Sequence, residues 1–154
     1  MRITQPGADK SNKAFMHVNR NDFKDGVIQY VDLSCVEIGT MFDMTFKFKL
    51  VTADMQPVGC VKFTNDPTKR CVDVAMRIIK EDGSPVWVLF NNDDREEVVP
   101  GAYTLFQTHF RLTTIMKTAR SIGLLLFGPP AGVNIIFDSF TLEQTQSESE
   151  SESI

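Results

Sequence analysis

Asp138 is the residue whose chemistry most needs an explanation. It lies in Val133-Asn134-Ile135-Ile136-Phe137-Asp138-Ser139-Phe140-Thr141-Leu142, which reads as a strand after the turn Gly128-Pro129-Pro130-Ala131-Gly132. Strict alternation sets Ile136, Asp138, Phe140 and Leu142 on one face. A carboxylate that a strand's own period turns toward a core must be paired, hydrogen-bonded or bound to a metal, because burying it alone is costly. Trp87, the only tryptophan, is the other residue with a chemical use. It falls on a short strand between Pro85 and Phe90, where its ring could serve as a stacking surface.

Catalytic constellations find little support. His17 and His109 are the only histidines, and there is no Gly-x-Ser-x-Gly, His-Glu-x-x-His or P-loop pattern. The densest polar cluster, Asn91-Asn92-Asp93-Asp94-Arg95-Glu96-Glu97, lacks the ligand spacing of an EF-hand and reads as an exposed hairpin loop. Consecutive acids on a loop do not supply the fixed separation that a pair of glycosidase carboxylates requires. The chain is therefore read as a non-enzyme. Cys35, Cys60 and Cys71 form no Cys-x-x-Cys pair, which argues against zinc. Two readings of them stay open: buried free thiols on strands, or one disulfide, with Cys60–Cys71 favoured, if the protein is exported.

The elements that must position these residues are strands. Phe42, Met44, Phe46, Phe48 and Leu50 alternate with Asp43, Thr45, Lys47 and Lys49, which predicts a half-buried strand with one wet face. Val72, Val74, Met76 and Ile78 repeat the pattern with Asp73 and Arg77 opposite, and Phe106, Phe110 and Leu112 do so against His109 and Arg111. Ser121 to Phe127 is apolar on both faces. Thr113 to Arg120 could make a helical turn, and turn residues punctuate the runs between. About eight or nine antiparallel strands with short loops predict an all-β jelly-roll β-sandwich. The expected division is a flexible segment over 1–13, the sandwich over 14–143 and a disordered Ser/Glu tail over 144–154.

At 154 residues, 42% hydrophobic with 12 Phe, the chain can bury a substantial core as one domain. The formal net charge of -4 is mild, and part of it sits in the Ser/Glu tail. No cluster of Lys and Arg is available to neutralise phosphates, so nucleic acid is not an expected partner. No run approaches the roughly 18 apolar residues of a membrane span, and the polar first 20 residues give no secretory signal, so no membrane partner is expected.

The order of segments resembles the jelly-roll, galactose-binding-like carbohydrate-binding modules of families four, nine and twenty-two. Ala14-Phe15-Met16-His17-Val18-Asn19-Arg20 resembles that family's strand ending in Val-x-Asn-Arg, and Gly26-Val27-Ile28-Gln29-Tyr30-Val31 its Gly-x-x-Gln strand. Gly39 to Lys49 is similar to its Gly-x-x-Tyr strand, Pro100 to Phe106 stands where it has a Trp-Thr strand, and Gly128-Pro129 with Val133 to Leu142 resembles its close. The resemblance covers roughly Ala14 to Glu143.

It implies a non-catalytic module that binds a polysaccharide such as β-glucan or xylan in a cleft on one sheet, outside the cell or in a cell wall, beside a glycoside hydrolase or another neighbouring domain. Sugar rings would stack on aromatic faces and hydroxyls would meet polar side chains. The matching positions are Arg20, Gln29 and Tyr103, with Trp87 as a further platform. It also implies a structural calcium anchored by Asp138, with Asp9 and Asn12 as further oxygens. Leu125 and Phe127 stand where sugar-binding members carry an aromatic and an acid. That departure supports an alternative, a structural or protein-interaction domain of the same fold that has lost sugar binding.

Overall fold

The structure, a computed structural model, describes residues 2–4, 14–90 and 98–145. Among the described residues ten strands, a 3-10 turn and one short α-helix follow in order: β1 (Arg2–Thr4), β2 (Ala14–His17), β3 (Val27–Val31), β4 (Met41–Thr52), β5 (Pro57–Val58), the 3-10 turn Pro67–Lys69, β6 (Asp73–Ile79), β7 (Pro85–Leu89), β8 (Thr104–Arg111), α1 (Thr114–Thr118), β9 (Ser121–Phe127) and β10 (Val133–Gln144). They make two antiparallel sheets. The six-stranded sheet runs β1-β2-β10-β4-β5, with β8 also pairing β4, and the four-stranded sheet runs β3-β9-β6-β7. The fold is the expected jelly-roll β-sandwich.

Alternation decides what lies between the sheets. Phe42, Met44, Phe46, Phe48 and Leu50 of β4 and Phe106 and Phe110 of β8 face Val74, Met76 and Ile78 of β6 and Ile122, Leu124 and Leu126 of β9 in one buried cluster. Within it Phe46 stacks on Phe106 and Phe42 on Phe110. Residues of opposite phase on the same strands are left outside, and any site must be built from those.

The expectations need four corrections. β1 pairs with β2 through Arg2 and Met16, so the opening segment contributes a strand. Gln144, expected in the tail, still pairs with Phe42. Of the two open readings of the cysteines, buried free thiols give way to the disulfide: Cys60 is bonded to Cys71 as that reading had it, and Cys35 is exposed rather than buried. The fourth correction concerns β10. Its pairing with β4 slips between Asp138 and Thr141, and Ser139 takes a positive φ of 56°. The slip is a bulge, which shifts alternation by one residue. Before it Val133, Ile135 and Phe137 face the core; after it Phe140 and Leu142 do. Ile136 packs in a small separate cluster with Ala14, Met16 and Val51 on the outer face of the six-stranded sheet, and Asp138 shares its phase. Asp138 therefore does not point into the core. Asp9, Asn12, the acidic loop over 91–97 and the Ser/Glu tail from 146 onward lie outside the described residues.

The disulfide closes the stretch that carries Asp66, Thr68 and the short turn Pro67–Lys69. Cys60→Ser combined with Cys71→Ser is expected to cost roughly 3 kcal/mol by loop closure. Urea unfolding of the double variant reads this; an unmoved midpoint would show that the bond does not constrain the unfolded chain.

Candidate functional site

Arg20, Gln29, Tyr103 and Trp87 do not converge. Arg20 is 3% exposed and serves as an internal tie. Its Nη1 donates to the carbonyls of Pro129 (2.7 Å), Pro130 (3.2 Å) and Val133 (3.1 Å), and its Nε and Nη2 to that of Asp25 (3.0 and 2.9 Å). Asn19 before it takes a positive φ of 58°, which Asn tolerates, so the chain can turn inward. Burial pushes the Arg20 pKa down, while Asp25 and Asp22 push it up. A guanidinium so enclosed holds two loops together and offers nothing to a ligand at the surface.

Gln29 is displaced by strand phase. Its register partner is Leu124, an inward residue of β9, so it points to the rim of the sandwich rather than onto the sheet's outer face. There it borders a hollow of about 460 Å³ beside Asp138, Phe15, Phe137 and Phe140. Asp138 Oδ1 accepts the Ser139 amide at 2.7 Å, and its register partner on β4 is Lys47. Tyr103 packs against the outer cluster of the six-stranded sheet, with Lys49 Nζ 4.7 Å from its ring centre. Burial first, then the Asp138 charge, raises its hydroxyl pKa. Among the described residues no group of three or more His, Cys, Asp and Glu is placed to hold a metal.

Trp87 stands where a platform should, on the outer face of the four-stranded sheet. β3 pairs Tyr30 with Gly123, β9 pairs Gly123 with Arg77, and β6 pairs Arg77 with Trp87. These four residues form one row across all four strands. Tyr30 (54% exposed) and Trp87 (53% exposed) occupy its ends, about 14 Å apart as three strand spacings.

Gly123 makes the row work. A Cβ there would meet Ile28 Cδ1 at 2.5 Å and Tyr30 Cε1 at 3.5 Å. Without one, the Tyr30 side chain can lie over β9, and its hydroxyl accepts from Arg77 Nη2 at 3.1 Å across the intervening strand. The Arg77 guanidinium in turn lies 6.0 Å from the Trp87 ring centre, at the reach of a cation–π contact. The next row, Ile28, Leu125, Ala75 and Leu89, is apolar throughout. Beyond Tyr30 a hollow of about 570 Å³ continues toward α1, bordered by Asp32, Lys117, Arg120 and Ser121.

Chemically the row offers two open aromatic faces with hydrogen-bond donors between them. That suits a ligand with apolar ring faces and polar edges, longer than one ring. Tyr30 escapes a motif-led reading because the Gly-x-x-Gln motif of β3 points to Gln29, and Arg77 because no motif covers β6. For Arg77 a signal was nonetheless present, since it alternates against Val74, Met76 and Ile78, whereas Ile28 in the phase of Tyr30 leaves β3 open to either face.

No family model matches the chain, and no curated protein matches it. Solved structures do. The chain is similar to the CBM22-1 xylan-binding domain from Paenibacillus barcinonensis Xyn10C, with a TM-score of 0.66 and 15% identity over 94% of this chain and 80% of that one. The C-terminal family 22 carbohydrate binding module of Clostridium thermocellum Xyn10B gives a TM-score of 0.65 and 10% identity over 93% and 79%. The CBM22-1–GH10 modules of a Clostridium thermocellum endo-1,4-beta-D-xylanase 10B, complexed with xylohexaose, give 0.62 and 16% over 90% of this chain. The chain spans 23% of that xylanase chain. At such identities the likeness establishes the shared jelly-roll fold.

Proposed function

We propose that this jelly-roll domain is a non-catalytic carbohydrate-binding module that takes a polysaccharide chain across the outer face of its four-stranded sheet. The observation that carries the reading is the row Tyr30–Gly123–Arg77–Trp87, two open rings flanking a hydrogen-bonded cation. Pyranose C–H faces would stack on Tyr30 and Trp87, and hydroxyls would accept from Arg77. A xylan or β-glucan backbone has this alternation of apolar faces and polar edges. The modules it resembles in fold are described as xylan-binding, which supports the same ligand class. Retardation in native gels cast with xylan or β-glucan tests the proposal, and mobility unchanged by every polysaccharide removes it.

The apolar row Ile28–Leu125–Ala75–Leu89 favours a second reading, in which the same face packs on a neighbouring domain. Loss of that packing would show as concentration-dependent self-association without glycan binding. An extracellular or cell-wall setting belongs to the first reading and is supported by the Cys60–Cys71 bond, since such bonds persist in oxidising compartments.

Calcium is also carried as a proposal. Asp138 would supply its carboxylate, and backbone carbonyls with Asp9 and Asn12 the remaining oxygens. Lys47, opposite Asp138 in the ladder, is the competitor for that charge. The expected outcome is a melting temperature lowered by chelator and restored by added calcium, because a ligand bound only to the native state stabilises it. A melting temperature indifferent to both removes the metal.

A further inference from the structure

Arg77 is a half-buried cation that no carboxylate of the described residues pairs with. Nη2 donates to the Tyr30 hydroxyl, Nε is buried without a hydrogen-bond partner, and Nη1 bonds to none of the described residues. A charge held partly out of water, with donors unspent, is costly until something accepts from it. Nothing near it on the sheet does so. Its outward neighbours along β6 are Ala75 and Ile79, and across the ladders they are Gly123 and Trp87. Asp73, two outward positions away, is engaged by Arg70 at 3.1 Å. Lys117, by the adjoining hollow, is itself spent on the carbonyls of Ser34 and Val36. Arg120 borders that hollow as well, but so does the carboxylate of Asp32, which leaves Arg77 as the unbalanced cation of this face.

We propose that this face selects acidic polysaccharides, with the carboxylate of a uronic acid residue seated on Arg77 while its ring, or its neighbour's, stacks on Tyr30 or Trp87. The inference rests on reading this face as a glycan site. A carboxylate is planar and can accept from two guanidinium N–H groups at once, which neutral hydroxyls do less well. The formal net charge of -4 means that the protein's overall field does not attract an acidic polymer. Any preference for one must come from this local cation.

The test compares one polymer in two forms: a polyuronate, and the same polyuronate with its carboxyl groups reduced to neutral alcohols. Titration calorimetry on the full chain is expected to show the acidic form binding about tenfold tighter at low salt, the scale of one charge-assisted hydrogen bond. The advantage should shrink as salt is raised. Arg77→Gln is expected to remove the preference and Arg77→Lys to keep part of it. Equal affinity for the two forms overturns this inference and leaves the glycan reading standing. Binding of neither form, nor of xylan or β-glucan, overturns both. A preference that survives Arg77→Gln overturns the assignment to Arg77.

Discussion

Replacing Arg20 by methionine is expected to cost the fold roughly 2–4 kcal/mol, from one buried and several part-buried carbonyls that lose a charged donor. The reason lies in what Arg20 satisfies. Pro129 and Pro130 have no N–H and interrupt any regular ladder, yet their carbonyls are turned inward and need donors. Arg20 supplies them, together with donors for Val133 and Asp25. The same turn is fixed by Gly128, whose φ is +121° and whose position leaves no room for a Cβ beside the Cys71 carbonyl. Methionine keeps much of the side-chain volume but strands the buried Pro129 carbonyl, at about 1–3 kcal/mol before relaxation, and takes a donor from the part-buried carbonyls of Val133 and Asp25, while Pro130 keeps the Val133 amide. Lysine is expected to rescue little, because a point charge cannot span acceptors on two loops. Equilibrium urea unfolding of both variants measures this. A loss below about 1 kcal/mol would mean that water or neighbouring groups replace the guanidinium without strain.

The second large effect is on binding. Trp87→Ala and Tyr30→Ala are each expected to weaken polysaccharide affinity about tenfold, from roughly 1.5 kcal/mol of ring face covered by sugar. The double variant is expected to lose less than the roughly hundredfold of independent sites, since both rings touch Arg77. Tyr30→Phe separates the two roles of that residue. It keeps the ring but leaves Arg77 Nη2 without its acceptor. Tyr103→Ala, on the far side of the sandwich, is expected to leave affinity unchanged. Titrations with one soluble oligosaccharide across these variants suffice, and a Tyr103→Ala loss exceeding that of Trp87→Ala would relocate the site.

The sandwich was legible because its strands alternate cleanly. Phe42 to Leu50 and Val72 to Ile78 each state one inward face, and the structure uses those faces. The site was harder to read for three physical reasons. β10 changes phase at Ser139, and a bulge leaves no trace in hydrophobic alternation when the residues on both sides are apolar. In β3, Val27-Ile28-Gln29-Tyr30-Val31 satisfies either phase, and only pairing with Leu124 and Gly123 decides that Tyr30 faces outward. The Val-x-Asn-Arg motif drew Arg20 toward ligand chemistry, although its Asn turns the chain and its Arg ties the loops. Of the four expected contacts, Gln29 and Trp87 belong to the four-stranded sheet, and of these Trp87 shares the outward phase of Tyr30 and Arg77.

The most direct test of the central claim is backbone amide chemical-shift mapping while a neutral xylo- or cello-oligosaccharide is titrated in. The expected result is a set of shifts confined to β3, β6, β7 and β9 and centred on Tyr30, Gly123, Arg77 and Trp87. Shifts centred instead on Tyr103, or on the hollow beside Gln29 and Asp138, would contradict a glycan site on the four-stranded sheet.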